Sequence, residues 1–295
     1  MMLIDFVGLG SMGLGMATSL VRAGHAVRGH DPDASRVEMF IAAGGIAASE
    51  STTPADALVS AVLNADQTRS VLSNTQSVAA RLRKGGVIVS CATVSPDFAK
   101  EMEVAAANAG HLYLDAPISG GAIKAAAGQL SIMASGTAEA FDLAAPVLDA
   151  MAETVHRLGD GAGEGSAMKA VNQLLAGVHI AAMGEAMAFG ASQGLTPEQV
   201  LNVVSVSAGT SWMFENRGAH VVEADYSPRS KVDIWLKDLG IVTEIAATSG
   251  LPVPVSTNAL AQFRAASAAG LGNEDDAAIA KYFARAGGIT LPGDV

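Results

Sequence analysis

Three glycines near the start of the chain have a spacing that suits the binding of a pyrophosphate. Gly8, Gly10 and Gly13 follow a short apolar run at 3–7 and open a helical pattern that stops before Gly24. A glycine turn between a strand and a helix lets the backbone approach phosphates, which then meet the N–H groups of the helix N-terminus. The spacing predicts a dinucleotide site, with a purely structural turn as the alternative. The predicted cofactor contacts are Gly8, Leu9, Gly10, Ser11, Met12 and Gly13.

An acidic residue after the second predicted strand bears on which dinucleotide is bound. Asp31 directly follows the apolar run at 26–30. A carboxylate there accepts hydrogen bonds from the ribose hydroxyls of NAD and repels the 2′-phosphate of NADP. We therefore expect NAD, with NADP less favoured. Two alternatives stay open. Arg28 and Arg36 lie close by in the sequence and could weaken the preference for NAD, and Asp31 could instead cap the next helix.

Two further loops are expected to reach the cofactor, since ligands of parallel sheets bind beyond the carboxyl ends of the strands. Leu63 and Asn64 lie at the end of the fourth predicted strand, and Thr93 follows the fifth. We predict that all three contact the cofactor. Thr93 suits the N-cap of the following helix equally well.

The elements that must position these residues alternate between strand and helix. Apolar runs at 3–7, 26–30, 58–63, 87–90, 111–115 and 131–134 are separated by helical patterns, among them 12–23, 35–43, 96–109 and 138–151. Alternation of this kind is typical of a mostly parallel sheet covered by helices. We therefore predict an α/β protein whose N-terminal Rossmann domain covers 1–162.

The pattern changes after the glycine-rich stretch at 159–163. A helical stretch without proline runs from about 165 to 193 and has apolar residues at 168, 171, 175, 178, 182 and 186, which predicts one buried face. Helical patterns continue at 197–207, 211–222, 230–248, 254–269 and 274–286. The sequence thus predicts an all-helical C-terminal domain at 163–295, joined to the first through a long interdomain helix.

Composition excludes several classes of function. The chain has 295 residues and a net charge of −11, which disfavours nucleic acid and anionic membranes as partners. The sequence contains no run of 18 uninterrupted apolar residues, so we predict no membrane span. The single cysteine, Cys91, lies in an apolar run and suits a core position in a cytoplasmic protein. The six histidines are scattered, so no metal site is expected.

Several later segments, with the N-terminal glycines, resemble the β-hydroxyacid dehydrogenase family over nearly the whole chain. They are the run from Asp115 through Ser119, Gly120 and Gly121 to Gly128, the stretch from Gly163 through Lys169 to Asn172 and Gln173, and the pair Lys237 and Asp238. That family includes 3-hydroxyisobutyrate dehydrogenase, tartronate semialdehyde reductase and 6-phosphogluconate dehydrogenase. The segments at 172–180, 211–217, 225–230 and 273–276 are most similar to its L-threonate dehydrogenases.

The resemblance implies roles for these residues in oxidising a hydroxy acid. Lys169 matches the family's general acid/base, and Ser119, Gly120 and Gly121 would bind the substrate carboxylate through a hydroxyl and backbone N–H groups. Asn172 and Gln173 lie one helical turn from Lys169 and would hold the substrate hydroxyl. Many members have asparagine where this chain has Gln173, which disfavours 3-hydroxyisobutyrate as the substrate.

Each role has a simpler alternative. Lys169 would otherwise be a solvated surface lysine, and the Ser119 to Gly121 segment an ordinary turn after a strand. Lys237, which the resemblance brings to the cofactor, would otherwise form an ion pair with Asp233 one turn earlier.

The resemblance implies an NAD-dependent oxidation of a small hydroxy acid, with L-threonate going to its 2-oxo acid. The alternatives are a tartronate semialdehyde reductase, a 3-hydroxyisobutyrate-type dehydrogenase, or a non-catalytic NAD(P)-binding sensor. It also implies a homodimer or homotetramer assembled through the helical domain.

Overall fold

The computed structural model describes residues 1–48, 52–72 and 77–294, which fold into two compact units. Unit 1 is Met1–Lys169 and unit 2 is Ala170–Val295. The division falls inside the long predicted helix, and the domain boundary expected between 162 and 163 stays a prediction.

Unit 1 is built on a parallel sheet that confirms the expected Rossmann fold. Its strands are β1 Leu3–Val7, β2 Ala26–His30, β3 Ile46–Ala47, β4 Ala55–Ser60, β5 Leu82–Ser90 and β6 Leu112–Asp115. They are ordered β3-β2-β1-β4-β5-β6, and all neighbouring pairs are parallel. This is the doubly wound order of dinucleotide-binding domains, whose ligands bind where the strand order reverses.

The fourth strand ends three residues earlier than the sequence pattern predicts. β4 pairs in register with β1, and Ser60 lies opposite Val7 at the end of both strands. The chain then leaves the sheet, so Leu63 lies in the following loop and is half exposed.

Helices cover the sheet and place the loops that follow each strand. They are α1 Gly13–Arg22, α2 Ala34–Ala42, α3 Ala65–Leu72, α4 Pro96–Asn108, α5 Gly121–Ala127 and α6 Ala138–Met151. Apolar residues of α1 and α6 pack with β1, β4 and β5 into one core. A second apolar cluster lies between α4 and the residues of β4, β5 and β6 that are not part of that core.

A second, three-stranded sheet in unit 1 was predicted only in part. Its strands are β7 Ile118–Ser119, β8 Leu130–Ala134 and β9 Ala152–Arg157. β7 pairs antiparallel to β8, and β9 pairs parallel to it. The sequence indicated β8 alone, because β7 is two residues long and β9 is a largely exposed strand that carries Glu153, His156 and Arg157.

Unit 2 is helical, as predicted. The long helix α7 Glu164–Ser192 begins in unit 1 and continues into unit 2. The other helices are α8 Pro197–Val204, α9 Trp212–Glu223, α10 Val232–Thr248, α11 Pro254–Ala266 and α12 Ile279–Ala286. Their shared apolar core includes Ile180 and Met187 of α7 and Trp235, which stacks on Phe263.

The prediction of the buried face of α7 was wrong. Val171 and Leu175, which the spacing assigned to that face, are 54% and 50% exposed. The face that packs into unit 2 carries Ile180, Met183 and Met187 together with small residues. A Cβ atom on Gly177 would lie 2.9 Å from the side chain of Leu239, and one on Gly184 would lie 2.7 Å from that of Ile279. Close helix packing therefore favours glycine at these two positions, whereas Val171 and Leu175 face outward.

α7 is long enough and apolar enough to cross a membrane by length and composition alone. Half of its most apolar 18-residue window is buried within the structure. Core helices of soluble proteins can have the same length and composition, so these two properties alone do not indicate a membrane span.

Candidate active site

The glycine turn after β1 has a backbone that other residues would not adopt without strain. Gly8 has a φ of +95°, and a Cβ atom there would lie 2.6 Å from the carbonyl oxygen of Ala61. A Cβ atom on Gly13 would lie 1.7 Å from the carbonyl oxygen of Gly8. The first and third glycines are therefore required by the tight turn and by the close approach of α1 to β1.

The start of α1 is suited to an anion. Met12 occupies the N-cap position without a side-chain hydrogen bond, and the first turn carries no acidic residue. The backbone N–H groups of this turn carry the positive end of the helix dipole. A pyrophosphate placed there would be bound by the main chain of the glycine turn.

A cleft of about 400 Å³ lies beyond the carboxyl end of β2. It is lined by Val7, Gly29, His30, Asp31, Pro32, Val37, Ala47 and Ala48. Apolar walls with one carboxylate at the edge suit an adenosine, whose base is flat and whose ribose hydroxyls are donors. The residues present therefore fit a bound dinucleotide.

Asp31 connects this cleft to the glycine turn. Its Oδ2 accepts a hydrogen bond of 2.7 Å from the Leu9 N–H, and its Oδ1 accepts one of 2.9 Å from the Asp33 N–H. The N-cap of α2 is Asp33, which accepts from the Ser35 N–H, so the capping alternative for Asp31 was wrong. Asp31 is instead held at the mouth of the cleft.

The two nearby arginines have different environments. Arg28 is fully buried and donates to both carboxylate oxygens of Asp5, at 2.8 and 2.7 Å, so it is not available to a 2′-phosphate. Arg36 is half exposed and lies 3.8 Å from Asp31 and 3.4 Å from Asp33. Arg36 is thus the cation near the cleft, and two carboxylates flank it.

The Asp5 carboxylate also accepts a hydrogen bond from His30, at 2.8 Å, if that ring nitrogen carries the proton. Burial acts to raise the pKa of the Asp5 carboxyl, but the hydrogen bonds and charges of His30 and Arg28 outweigh it and hold the pKa below its usual value. Asp5 therefore fixes two side chains of β2 from the neighbouring strand.

The other residues predicted to contact the cofactor lie in loops after β4 and β5. The Asn64 side chain accepts from the Gln67 N–H, and Gln67 in turn accepts from the Leu63 N–H. This reciprocal arrangement caps α3, which gives Asn64 a structural role besides the predicted one. Thr93 precedes the N-cap of α4, which is Ser95, so the capping alternative for Thr93 was wrong.

The segment from Ser119 to Gly121 has an open backbone. Gly120 and Gly121 have φ values of +139° and +76°, and a Cβ atom on Gly121 would meet no other atom within 4 Å. A small anion could approach the backbone at Gly121 without meeting a side chain, whereas a Cβ atom on Gly120 would lie 3.1 Å from the Lys124 side chain. Lys124, on the helix that follows, is half exposed and lies 3.5 Å from Glu153, as expected for a surface ion pair.

Lys169 lies in α7 and is 7% exposed, so the surface-lysine alternative was wrong. It follows Ser166 by three residues, which is nearly one helical turn. The position of Lys169 in unit 1 therefore depends on how the start of α7 is held.

Asp115, the last residue of β6, holds the start of α7. Its Oδ2 accepts from the N–H groups of Gly163 and Ser166, at 3.1 and 2.8 Å, and its Oδ1 accepts from the Ser166 hydroxyl at 2.8 Å. Ser135 accepts from the Gly165 N–H at 2.9 Å and donates towards Asp115 at 3.4 Å. A buried carboxylate thus satisfies the positive end of the α7 dipole.

Burial raises the pKa of the Asp115 carboxyl, and hydrogen bonds from Ser166, Gly163 and Ser135 oppose that rise. Asp115 and Ser166 are each 1% exposed, and Ser135 is fully buried. The sequence analysis quoted Asp115 within a motif but gave it no role. Its position at the end of a strand, ahead of a glycine-rich segment, was the available signal.

Unit 2 contains a polar cluster of its own. The Asn172 amide donates to the Gln173 side-chain oxygen at 2.9 Å, and the Gln173 amide donates to Oδ2 of Asp238. Lys237 lies 2.6 Å from Oδ1 of Asp238 as an ion pair rather than a well-aligned hydrogen bond. Two predicted site residues, Gln173 and Lys237, therefore contact Asp238, and Asn172 joins them through Gln173. The sequence did not reveal this role of Asp238.

Asp233, the ion-pair partner proposed for Lys237 as an alternative, accepts a hydrogen bond from the Ser267 hydroxyl at 2.6 Å. The acidic partner of Lys237 that the structure identifies is its neighbour, Asp238. Because Gln173 and Asp238 are both buried, this cluster is held in one arrangement.

Two family models match the chain and cover most of it. Residues 3–159 match the NAD-binding domain of 6-phosphogluconate dehydrogenase, and residues 163–283 match the NAD-binding domain of NADP-dependent 3-hydroxyisobutyrate dehydrogenase. The chain belongs to the 3-hydroxyisobutyrate dehydrogenase family. Members of this β-hydroxyacid dehydrogenase family oxidise CH–OH groups, and this chain is an NAD-binding oxidoreductase of that type.

Relatives within the family match the chain from end to end. An L-threonate dehydrogenase of Cupriavidus necator is 46% identical over 98% of this chain and 98% of its own length. That of Escherichia coli K12 is 45% identical over 98% of this chain and 96% of its own. A crystal structure named 3-hydroxyisobutyrate dehydrogenase, from Salmonella typhimurium, is 45% identical with a TM-score of 0.90, and covers 95% of this chain and 99% of that one. The family assignment therefore favours an enzyme over a sensor.

Proposed function

We propose that this member of the family oxidises L-threonate to its 2-oxo acid with NAD as the acceptor. The observation that carries the proposal is the 46% identity with the Cupriavidus L-threonate dehydrogenase over nearly the full length of both chains. The L-threonate dehydrogenases of Escherichia coli and Pectobacterium atrosepticum are similar to the same degree. Gln173 supports it too, since it stands where many other members carry asparagine.

Lys169 is the proposed general base. Bound NAD supplies the acceptor for the hydride that leaves the carbinol carbon. The hydroxyl proton must leave separately, and the Lys169 amine takes it as the C=O bond forms. Lys169 is 7% exposed, so its amine is largely shielded from bulk water.

The substrate carboxylate is assigned to the Ser119, Gly120 and Gly121 segment. Its support is a glycine backbone that a small anion can approach and a hydroxyl donor beside it. Asn172 and Gln173 are proposed to bind the substrate hydroxyls. The Asp238 carboxylate fixes the Gln173 amide, so Gln173 would act through its oxygen and its remaining donor.

The cofactor is assigned to the glycine turn and its neighbours. The main chain of Gly8 to Gly13 binds the pyrophosphate, and Asp31 accepts from the adenosine ribose. The remaining proposed contacts are Leu63, Asn64, Thr93 and Lys237.

Two other relatives of this chain suggest competing substrates. The Salmonella structure at 45% identity is named a 3-hydroxyisobutyrate dehydrogenase. A relative from Pseudomonas aeruginosa, 33% identical, is named an NAD-dependent L-serine dehydrogenase. Tartronate semialdehyde reduction remains a further alternative from the resemblance of the sequence.

A substrate panel tests the proposal. NADH formation is measured with L-threonate, D-threonate, 3-hydroxyisobutyrate and L-serine, and NADH consumption with tartronate semialdehyde. We expect kcat/KM for L-threonate to exceed every other value at least about tenfold, which corresponds to about 1.4 kcal/mol of discrimination. A higher kcat/KM for any other substrate would replace L-threonate, and turnover of none would contradict the enzyme itself.

We further propose a homodimer or homotetramer that assembles through unit 2, in the cytoplasm. The single cysteine, Cys91, is free and buried, and one cysteine cannot form a disulfide within the chain. This supports a cytoplasmic setting, because disulfides are typical of oxidising compartments. Fractionation of cells that express the native gene, with immunodetection, tests the location. Recovery in an exported fraction would overturn it.

A further inference from the structure

A line of hydrogen bonds in unit 2 runs from a buried carboxylate to a half-buried amide. The Gln173 amide donates to Oδ2 of Asp238, and the Asn172 amide donates to the Gln173 side-chain oxygen at 2.9 Å. Asp238 is 3% exposed and Gln173 is 8% exposed, whereas Asn172 is half-buried. Asn172 is therefore the end of this line that a small molecule can reach.

The Asp238 carboxylate fixes the direction of both hydrogen bonds. An ionised carboxylate can only accept, so the Gln173 side chain must turn its NH₂ group towards Asp238. The Gln173 oxygen then faces Asn172, which must donate in turn. Lys237 lies 2.6 Å from Oδ1 of Asp238 and stabilises the negative charge that sets this direction.

The fixed direction decides which group of Asn172 is presented to a ligand. Its amide nitrogen is directed at Gln173, so its Oδ1 acceptor is left for a hydrogen-bond donor. If both amides were turned over, the Asn172 oxygen would instead accept from Gln173. Asp238 therefore makes Asn172 an acceptor for the ligand without touching the ligand itself.

The oxidation of an alcohol distinguishes two kinds of hydroxyl group on a polyhydroxy acid. The hydroxyl that is oxidised loses its hydrogen, and the carbonyl oxygen that forms can only accept. The hydroxyl on the next carbon remains a donor throughout the reaction. An acceptor such as the Asn172 oxygen therefore suits the retained hydroxyl rather than the reacting one.

The position of Asn172 along α7 agrees with this assignment. It follows the proposed general base, Lys169, by three residues, so the two side chains lie on the same face of the helix. A side chain one turn from the base is placed to contact the carbon next to the reacting one.

We propose that Asp238 is a positioning residue that makes the enzyme selective for acids with a hydrogen-bond donor on the carbon next to the one oxidised. It acts through Gln173 on Asn172, whose oxygen accepts from that donor. The assignment rests on the proposed function and deepens it. L-Threonate meets the requirement through its C3 hydroxyl, whereas 3-hydroxyisobutyrate carries a methyl group at the corresponding carbon.

The wild-type enzyme provides the first test. L-Threonate is compared with 2,4-dihydroxybutyrate of the same configuration at C2, which lacks only the C3 hydroxyl. NADH formation should give a kcat/KM for L-threonate that is at least about a hundredfold higher, because the shorter set of hydroxyls leaves the Asn172 oxygen without its donor.

Asp238→Asn tests the positioning role. An amide at 238 can donate as well as accept, so Gln173 and Asn172 are no longer held in one direction. The ratio of kcat/KM between L-threonate and 2,4-dihydroxybutyrate should fall at least about tenfold. A changed contact of Lys237 with the cofactor would affect both acids alike, so this ratio isolates the effect on Asn172.

Gln173→Met should lower the same ratio to a similar extent, because it removes the amide that joins Asp238 to Asn172. It decides the question if Asp238→Asn fails to fold. Far-ultraviolet circular dichroism and NAD binding establish that each variant is folded.

Asp233→Asn is the matched control. Asp233 is an exposed residue of the same helix, α10, and asparagine keeps an oxygen that can accept from the Ser267 hydroxyl. The ratio for this variant should equal that of the wild type.

Three outcomes would overturn the inference. Similar kcat/KM values for the two acids in the wild type would contradict the need for a neighbouring donor, while L-threonate would remain the substrate. An unchanged ratio in folded Asp238→Asn or Gln173→Met, or an equal fall in Asp233→Asn, would contradict the role of Asp238 alone. Turnover of neither acid would contradict the proposed function, and the role of Asp238 with it.

Discussion

The carboxylate of Asp115 accepts two hydrogen bonds from one residue, the backbone N–H and the hydroxyl of Ser166, both at 2.8 Å. Through them the end of β6 is joined to the start of α7. Four residues beyond Asp115 lies Ser119, and three residues beyond Ser166 lies Lys169. A single buried carboxylate therefore sets the starting points of both the proposed carboxylate-binding segment and the proposed general base.

Asp115→Asn should reduce both stability and turnover. The amide keeps the shape but turns an NH₂ group towards N–H donors, which leaves buried groups unsatisfied at a cost of about 1–3 kcal/mol. Urea unfolding measures this loss, and Asp97→Asn, at an exposed position on α4, is the control. Because α7 would no longer be held, kcat for L-threonate should fall more than tenfold with little change in KM for NAD. A stability loss with unchanged kcat would contradict the positioning role.

Lys169→Ala should abolish most of the turnover while NAD still binds. General base catalysis contributes about 10²–10⁴ in rate, and kcat should fall by that factor. Lys124→Ala removes an exposed lysine near Gly121 and should leave kcat within twofold. Added methylamine should restore part of the Lys169→Ala activity, since a small amine can replace the missing base. Activity retained within tenfold of wild type would refute the assignment.

The preference for NAD should depend on two carboxylates rather than one. Asp31 and Asp33 flank Arg36, and each opposes its use as a partner for a 2′-phosphate. Asp31→Ala should raise the NADP/NAD ratio of kcat/KM about tenfold. Adding Asp33→Ser, which keeps an N-cap residue while removing the charge, should raise the ratio about tenfold further. Adding Arg36→Ala to the double variant should cancel the gain that Asp33→Ser produced. An NADP/NAD ratio that does not change on Arg36→Ala would contradict this explanation.

Asp5 should make the stability of unit 1 depend on pH. The pKa of its carboxyl is lowered in the folded state, so its stabilising effect is present above its unfolded pKa near 3.8 and is lost as pH falls through the folded pKa. Asp5→Asn should cost about 3–5 kcal/mol at neutral pH, because it removes the carboxylate that pairs with the buried Arg28 guanidinium. Unfolding by urea at a series of pH values should show wild type and variant converging below pH 3.8. A difference that persists at lower pH would contradict the ion pair as its cause.

Local patterns were enough to predict the fold because they are repeated along the chain. The strand that precedes Gly8 and the helix that follows Gly13 were predicted within one residue, and α7 was predicted at 165–193 against the observed Glu164–Ser192. These elements follow from apolar periodicity and from glycine and proline positions, which are properties of neighbouring residues.

What the sequence did not reveal depends on residues that are far apart in the chain. Val171 and Leu175 were assigned to the buried face of α7 because apolar residues recur there at three- and four-residue spacing. The close contacts of Gly177 and Gly184, which mark the packed side, are defined only in the folded unit. In the same way, the contact of Gln173 with Asp238 joins residues 65 positions apart. Spacing identifies an apolar row or a polar residue, but its role depends on the residues that it contacts in the folded chain.

The single cysteine has a practical consequence. Cys91 is 5% exposed, and burial, with a smaller contribution from the Asp115 charge, raises the pKa of its thiol to about 12. The native chain is therefore nearly inert to thiol-directed reagents at neutral pH. A cysteine introduced on the surface would carry a fluorophore or spin label at one defined position, so the surroundings of that position can be followed in the otherwise unaltered enzyme.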